Sequence, residues 1–231
     1  FRKVSGPRRY DGTQRTGQAT LLFQSIIGST KHGYRAGLSF LYDDYREYFS
    51  AGALYTTETP AETYAREHRT RQELVPGAFA EYTYQDSRHL TVVAGLRADR
   101  HNLYGWQLTP RFNLKYDASA SSIFRVSAGR GFRVANPIAD NAALLASARE
   151  FSIGNNLRPE TAWNLGGSFT QYFTLWGRQA TFVTDYYDTE FGNQVVADMY
   201  STPQLVLIDN LGPGGRSFAR SLQAELQVEP V

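Results

Sequence analysis

Cysteine is absent from this chain of 231 residues. Disulfide bonds and thiolate metal sites are therefore excluded. The chain also lacks any run of about 18 consecutive apolar residues, the length that a transmembrane helix needs. This second absence does not exclude a membrane β-barrel, because polar side chains that face the lumen interrupt every strand of such a barrel.

An excess of charge of either sign is missing as well. The chain has 24 basic and 22 acidic residues, a formal net charge of +2, and the two signs are mixed along it. No basic stripe offers a surface to nucleic acid, so no nucleic-acid partner is expected. Residues 1–16, FRKVSGPRRYDGTQRT, contain no apolar stretch. They therefore do not resemble a signal peptide, and the chain is expected to begin within a longer protein.

Alternation of apolar and polar residues dominates the rest of the sequence. In WQLTPRFNLKYD, residues 106–117, apolar residues occupy the even positions from Leu108 to Tyr116, and polar residues occupy the odd positions from Thr109 to Asp117. Successive side chains of a strand point to opposite faces, so this stretch predicts a strand with one apolar and one polar face. The apolar face contacts either a protein core or lipid, and the alternation alone leaves both open.

The same alternation recurs along the chain and predicts about ten strands. Besides 106–117, they are expected near 17–27, 34–42, 78–84, 90–99, 122–129, 165–173, 179–191, 204–210 and 217–228. Short links are expected at 28–33, 85–89, 118–121 and 174–178, and longer excursions at 49–73, 131–160 and 192–203. The short link at 101–105 breaks this order.

Strand length and link length together favour a membrane barrel. An antiparallel meander of strands of about ten residues, with short turns at one end and long loops at the other, is the layout of outer-membrane barrels. Soluble sandwiches have strands of about five or six residues and no such asymmetry.

Aromatic residues cluster where strands are expected to end. Tyr42, Tyr45, Tyr48 and Phe49 lie at one loop end, and Tyr82 and Tyr84 lie at a turn end. Interfacial aromatic girdles of a membrane barrel would fall at these places. The ordinary strand propensity of aromatic residues is the other explanation.

Five short motifs follow one another from residue 95 onward. They are, in order, Gly95 with Arg97, Thr109–Arg111 (TPR), Gly129–Arg133 (GRGFR), Leu157–Glu160 (LRPE), and Asn210 with Gly212. This order, within residues 73–230, resembles the β-barrel of TonB-dependent outer-membrane receptors. Each motif is unspecific alone, and their joint order carries the resemblance.

The resemblance implies an all-β fold, a transmembrane β-barrel of roughly 22 strands with a plug folded inside it. This chain would supply an antiparallel meander of about ten of those strands. Residues 1–231 are then one partial barrel domain, and the plug and the remaining strands lie outside them.

The function implied by the resemblance is TonB-dependent active uptake of a scarce nutrient across the outer membrane of a Gram-negative bacterium. The nutrient would be a ferric siderophore, cobalamin or a glycan. The implied partners are the TonB complex, acting through the plug, outer-membrane lipid and the small nutrient ligand. No cofactor is implied.

Candidate site residues follow from the alternation. If the apolar faces contact lipid, then Arg97, Asp99, Arg111, Asn113, Lys115 and Arg125 point into the lumen, and Arg133 follows at the loop end. These residues are candidates for contact with the plug or with ligand. Structural ion pairs are the competing explanation, and the residue types favour it.

The sequence contains no convincing enzyme motif. Asp43, Asp44 and Glu47 form an acidic strand end, in which Asp43 and Glu47 alone could share a face as a glycosidase pair would. The GRGFR stretch lacks the Lys-Ser/Thr of a P-loop, and no nucleophile elbow occurs. The four histidines lack the spacing of a zinc motif and are expected to be solvated loop residues. The chain is predicted not to be an enzyme.

One short helix is expected in the long loop at 131–160. It would cover ALLASARE, residues 143–150, with Asp140 or Asn141 as its N-cap, because these side chains accept hydrogen bonds from orphan N–H groups.

Two other functions stay open at this point. A soluble extracellular all-β module, either a carbohydrate-binding domain or a glycan-active enzyme, would place the apolar faces in a sandwich core. A passive barrel, such as a porin or an adhesin, would share the fold without a plug or energy coupling.

Overall fold

The computed structural model describes residues 3–4, 9–56, 59–86, 88–147, 149–203 and 205–229, and only the backbone of 3–4, 51–56, 59–67 and 150. Within this part, nearly all regular structure is β-strand. The strands are β1 (Lys3–Val4), β2 (Arg9–Ile27), β3 (Ser29–Thr56), β4 (Thr59–Gln85), β5 (Leu90–His101), β6 (Gly105–Asp117), β7 (Ser122–Arg133), β8 (Glu150–Ile153), β9 (Glu160–Leu175), β10 (Arg178–Gly192), β11 (Val195–Asp198), β12 (Leu205–Asn210) and β13 (Ser217–Val228).

Ten of these strands form one antiparallel sheet, the main sheet. Its order is β2, β3, β4, β5, β6, β7, β9, β10, β13, and the short β1 pairs with β3 beyond the end of β2. Consecutive strands are hydrogen-bonded neighbours, with the loop strands β8, β11 and β12 left aside. The prediction of an all-β antiparallel meander of about ten strands is confirmed.

The register of the main sheet sorts the side chains into two faces. Ala94, Phe112, Ala128 and Leu165 stand in one cross-strand row, and the even-numbered neighbours of Phe112 on β6 share its face, as the alternation predicts. We call this side the apolar face and the opposite side the polar face. Leu96, Leu108 and Leu165 of the apolar face are each at least 50% exposed, so nothing in the described chain covers it.

Short turns lie at one end of the main sheet, the turn end. Gly28 joins β2 to β3, and Trp176 with Gly177 joins β9 to β10; all three have positive φ angles, as tight hairpins require. The links at 86–89 and 118–121 lie at the same end. Long connections lie at the opposite edge, the loop end, together with the tight link at 102–104.

The predicted excursion at 49–73 is wrong. Strand β3 continues to Thr56 and β4 begins at Thr59, so the two strands form a long hairpin that extends at the loop end. The segment ETYAREHRT, residues 62–70, shows no alternation of apolar and polar residues. A strand without an apolar face lacks the period-two signal from which strands are predicted.

The strand predicted at 204–210 exists but does not belong to the meander. As β12 it pairs with β11 and, in parallel, with β8 in a separate sheet, the loop sheet. The pairing of Phe191 with Ser217 joins β10 directly to β13, which leaves residues 193–216 as an excursion. Val206 and Ile208 of β12 are fully buried there.

A tight turn closes the connection after β11. The Asp198 carboxylate accepts hydrogen bonds from the Ser201 hydroxyl and from the backbone N–H groups of Tyr200 and Ser201. These bonds hold the pKa of Asp198 below its ordinary value, and the bond from the Ser201 hydroxyl contributes most.

The predicted helix at 143–150 is wrong in place and type. A 3-10 helix covers Ala139–Ala146, with Ile138 at its N-cap position. Asp140 lies inside this helix, and its carboxylate accepts from the N–H of Asn136 at 3.1 Å. The predicted cap therefore serves the turn before the helix.

A small apolar cluster lies at the loop end on the polar side. Phe49 and Ile138 are its buried members, and Tyr10, Leu145 and Ile153 pack against them. The long loop between β7 and β9 thus folds back over the polar face. Phe49 does not belong to an interfacial girdle, and neither does Tyr45, which is 7% exposed on the same side.

Candidate functional site

Rows of ion pairs cross the polar face. Arg35, Glu81, Gly95 and Arg111 stand in one row on β3 to β6. The buried Glu81 carboxylate lies 3.8 Å from Arg35 Nη1 and accepts a hydrogen bond from Arg111 Nη2. Gly95 makes room for this contact, because a Cβ there would lie 3.0 Å from Arg111 Nε.

Arg97 and Asp99 form a second pair on this face. Arg97 Nε and Nη2 each donate to one oxygen of Asp99 at 2.7 Å, and Nη2 also donates to Ser39 Oγ at 2.8 Å. Asp99 is 3% exposed and stands in register with Gly77. The missing side chain of Gly77 leaves the space that the carboxylate fills, since a Cβ there would lie 2.0 Å from Asp99 Oδ1.

The other predicted candidates are spread over the polar face. Lys115 pairs with Asp117 at 2.8 Å, Arg125 Nη1 donates to Thr170 Oγ1 at 3.2 Å, and Arg133 Nη2 lies 2.6 Å from Glu160 Oε2.

The structure therefore brings Arg97 and Asp99 together but does not bring all the predicted residues into one site. Contact of these residues with a plug or a ligand stays a prediction.

A concavity of about 360 Å³ opens at the loop end of the polar face. It lies between strands β3 and β4 on one side and two segments of the β7–β9 loop on the other. One of these segments precedes the 3-10 helix, and the other follows β8. We call it the mouth pocket. Its lining residues are Tyr45, Glu47, Arg69, Thr70, Arg71, Tyr104, Val134, Ala135, Pro137, Asn155, Asn156, Leu157 and Arg158.

Arg71 fixes the loop against the sheet at this pocket. Its Nε lies 2.6 Å from Glu73 Oε1, its Nη1 donates to the Ala135 carbonyl at 2.9 Å, and its Nη2 donates to Asn136 Oδ1 at 2.6 Å. The guanidinium also lies over the Tyr45 ring, 5.3 Å from the centroid. Both terminal nitrogens thus donate hydrogen bonds to the loop, which assigns Arg71 a positioning role.

Two other arginines of the mouth pocket keep their charge available. Arg69 and Arg158 have no carboxylate partner within the part of the chain that the structure describes. Tyr104 and the amides of Asn155 and Asn156 line the same space. This combination of free cations, an aromatic ring and amides suits an anionic ligand that carries rings.

His101 lies behind the pocket wall and corrects the expectation of solvated histidines. It is 2% exposed, and its ring packs against that of Tyr104 at an angle of 57°, with 4.8 Å between centroids. Its Nδ1 accepts from the N–H of Leu103 at 3.1 Å, and its Nε2 lies 3.4 Å from Glu73 Oε2. Because Nδ1 is the acceptor, the proton of the neutral ring is at Nε2 and faces the carboxylate.

The sequence did not predict the mouth pocket, because its residues come from distant segments. A signal was present in the RTR stretch, residues 69–71, where two arginines two positions apart share a face. That stretch fell inside the excursion wrongly expected at 49–73.

Glu47 is the second residue that fixes the loop. It is 2% exposed, and its Oε1 accepts from Tyr10 and Tyr45 hydroxyls at 3.0 and 2.9 Å and from the N–H of Ala139 at 3.2 Å. The Glu47→Ala substitution should raise amide hydrogen exchange at Ala139 about tenfold, since one charge-assisted hydrogen bond is lost. Asp11→Ala, which removes an exposed ion pair with Arg9, is the control. Equal exchange in both variants would contradict this role of Glu47.

The carboxylates of the acidic strand end are held by neighbouring side chains. Asp43 and Glu47 share the polar face, but Gln14 Nε2 and Thr16 Oγ1 donate to Asp43 at 2.8 and 2.9 Å, and tyrosines occupy Glu47. Among the described residues, no group of three or more His, Cys, Asp or Glu could hold a metal ion. In that same part of the chain, no helix is long and apolar enough to cross a membrane.

Residues 2–218 match the family model described as TonB dependent receptor-like, beta-barrel. Comparison with curated protein sequences gives no significant match. Comparison with solved structures gives many significant matches, and those described below have low sequence identity.

Three structures illustrate the likeness. The ferric enterobactin receptor PfeA of Pseudomonas aeruginosa, in a complex with enterobactin, has a TM-score of 0.61 at 12% identity over 92% of this chain and 33% of its own. The siderophore receptor PirA of Acinetobacter baumannii has a TM-score of 0.60 at 12% identity over 96% and 35%. The Serratia marcescens hemophore receptor HasR, in a complex with HasA and heme, has a TM-score of 0.62 at 15% identity over 96% and 40%.

At these identities, the likeness establishes a shared fold, and this chain spans only about a third to two fifths of those receptors. The family model covers nearly the whole chain and carries the assignment. The resemblance inferred from the motif order is thereby confirmed: the chain belongs to the TonB-dependent receptor β-barrel family.

Proposed function

We propose that this chain forms part of the wall and the external loops of an outer-membrane barrel that takes up a scarce nutrient with energy delivered by TonB. In this assignment the apolar face contacts lipid, the polar face lines the lumen, and the loop end lies outside the cell. The partners would be the TonB complex, acting through a plug, outer-membrane lipid and the small nutrient. The chain itself would carry no catalytic residue.

The height of the apolar face is the observation that supports this placement best. On β6 it runs from Trp106 to Tyr116, ten steps that span about 34 Å along the strand. With the strands tilted by about 35–45°, this corresponds to roughly 24–28 Å along the barrel axis. The apolar band of outer-membrane barrels is about 25 Å tall. A sandwich core would instead leave these residues covered, and they are exposed.

The mouth pocket supports a ferric siderophore over the uncharged glycan as the nutrient. Among the residues that the structure describes, Arg69 and Arg158 have no carboxylate partner, and they line the pocket together with Tyr104. Chelators that bind iron through carboxylate or catecholate oxygens carry negative charge, and some carry rings, which such a pocket favours. PfeA and PirA, which share the fold, are named as siderophore receptors.

Uptake measurements with the full-length protein test this function. Cells that lack their own siderophore receptors would express it and receive radiolabelled ferric chelates, catecholate and hydroxamate, with and without TonB. We expect accumulation of an anionic chelate only when TonB is present. Uptake independent of TonB would indicate a passive barrel, and a soluble, detergent-indifferent protein would indicate the sandwich module.

Charge removal at the mouth pocket should weaken ligand binding. Arg69→Gln combined with Arg158→Gln should raise the Kd of the chelate at least about tenfold, because charge-assisted hydrogen bonds contribute about 1.5–3 kcal/mol each. Arg178→Gln at the turn end is the matched control, since Arg178 begins β10 far from the pocket. Equal affinity of the control and the double variant would place the ligand elsewhere.

A further inference from the structure

Two arginines lie on the apolar face near its loop-side edge. Arg100 follows Leu96 and Ala98 on the same face of β5 and stands in register with Trp106. Its guanidinium lies over the indole ring, 5.8 Å from the centroid. The side chain of Trp106 is 62% exposed, so the stacked pair faces outward.

The second arginine, Arg130, lies on the same face of the main sheet on β7, two strands away from β5. It stands in register with the half-exposed Trp163 of β9. Its Nη1 donates to the Leu108 carbonyl at 2.5 Å. Pro110 explains this bond: it has no N–H, the β6–β7 ladder ends at the pair of Arg111 with Gly129, and the side chain supplies a donor beyond that point.

These two arginines differ from three arginines on the same side of the sheet that pair with carboxylates. Arg220 Nε lies 2.8 Å from Asp188, Arg216 lies 3.4 Å from Glu190, and Arg46 lies 2.9 Å from Asp44. Neither Arg100 nor Arg130 has a carboxylate partner within the residues that the structure describes. Each guanidinium has five N–H donors. The bond from Arg130 to the Leu108 carbonyl uses one of them.

Placement at a membrane boundary makes such unpaired cations informative. Tryptophan side chains mark the depth of the interface, and long arginine side chains at that depth extend into the headgroup layer. The groups that meet them there are phosphates, which a guanidinium binds through two parallel hydrogen bonds. Leu96 and Leu108 lie on the same face, nearer its middle than Arg100. Each is at least 50% exposed, and together they offer a surface to acyl chains.

We propose that Arg100 and Arg130, with Trp106 and Trp163, form a site for the phosphorylated headgroup of a lipid in the outer leaflet. The arginines bind the phosphate oxygens, and the apolar residues below contact the acyl chains. The site is distinct from the mouth pocket, which lies on the opposite face of the sheet. The proposal rests on the proposed membrane placement of the apolar face.

Lipid retention tests the site directly. The full-length protein would be reconstituted in phosphatidylcholine nanodiscs containing a minority of diphosphoryl lipid A, and lipid that stays bound after transfer to detergent would be counted by native mass spectrometry. We expect Arg100→Gln with Arg130→Gln to reduce retained lipid A about tenfold or more. Arg220→Gln, on the same face but at a paired arginine, should leave it unchanged. Thermal unfolding of each variant checks that the fold is kept.

Further arms identify the source of the phosphate. A lipid A without phosphates should not be retained, and free inorganic phosphate should not displace the diphosphoryl lipid. Equal retention by the wild type and the double variant, equal retention of the phosphate-free lipid, or displacement by inorganic phosphate would each overturn the site. If the protein inserts into the nanodisc and one of these results is found, the site fails while the barrel function stands. A protein that does not insert at all would overturn both.

Discussion

Phe112→Arg is expected to destabilise the folded full-length barrel by about 2–4 kcal/mol. Phe112 lies near the middle of the apolar face on β6, six residues from Trp106 and four from Tyr116. An arginine there would lie close to the bilayer midplane, where a cation loses its hydration without a partner. The same range is expected for charged residues at Leu96, Leu114 and Phe169.

Lys115→Gln on the same strand is the matched control. Lys115 lies on the polar face, and its ion pair with Asp117 is partly exposed. Such a pair contributes about 0–1 kcal/mol, so this loss should be far smaller. Reversible unfolding from detergent or lipid in denaturant measures both variants. Equal tolerance of the two substitutions would mean that the faces are assigned incorrectly.

Gly77→Ala is expected to cost about 1–3 kcal/mol, a large effect for one methyl group. The added Cβ would lie 2.0 Å from Asp99 Oδ1 and 2.9 Å from Ser39 Oγ. Asp99 would have to move, and its two hydrogen bonds with Arg97 would be lost or distorted. A buried carboxylate that loses its partner is costly, so the penalty exceeds that of a simple steric contact.

Gly129→Ala controls for the general effect of replacing a strand glycine. Gly129 lies on the polar face of β7, and the nearest atom to its added Cβ would be 3.5 Å away, an ordinary contact. This variant should therefore be close to neutral. Denaturant unfolding of the two variants is the measurement. If Gly77→Ala is as stable as Gly129→Ala, Asp99 does not depend on the space beside Gly77.

The meander was predictable because its signal is local. Each spanning strand alternates over about ten residues, as β6 does, and the short turns lie between strands where the alternation stops. The register then follows from the requirement that all apolar residues share one face.

The features that the sequence missed depend on contacts between distant segments. The extension of β3 and β4 includes ETYAREHRT, residues 62–70, in which apolar and polar residues do not alternate, so this part of the chain was expected to be a loop. The partner of β12 is set by the return of residues 193–216 over the loop end, which no residue of β12 encodes. The mouth pocket likewise joins Arg69 to Arg158, 89 positions apart, and His101 is buried only because Glu73 and Tyr104 surround it.

A cysteine accessibility scan along β6 tests the placement of the two faces most directly. This chain contains no cysteine. With any cysteine elsewhere in the full-length protein replaced by serine, single cysteines at 108–115 can be labelled in isolated outer membranes with a charged, membrane-impermeant maleimide. We expect labelling with a period of two: Thr109, Arg111, Asn113 and Lys115 positions reactive, and Leu108, Pro110, Phe112 and Leu114 positions protected until detergent or denaturant is added. Labelling without this period, or strong labelling of the even positions in intact membranes, would contradict the assignment of the apolar face to lipid.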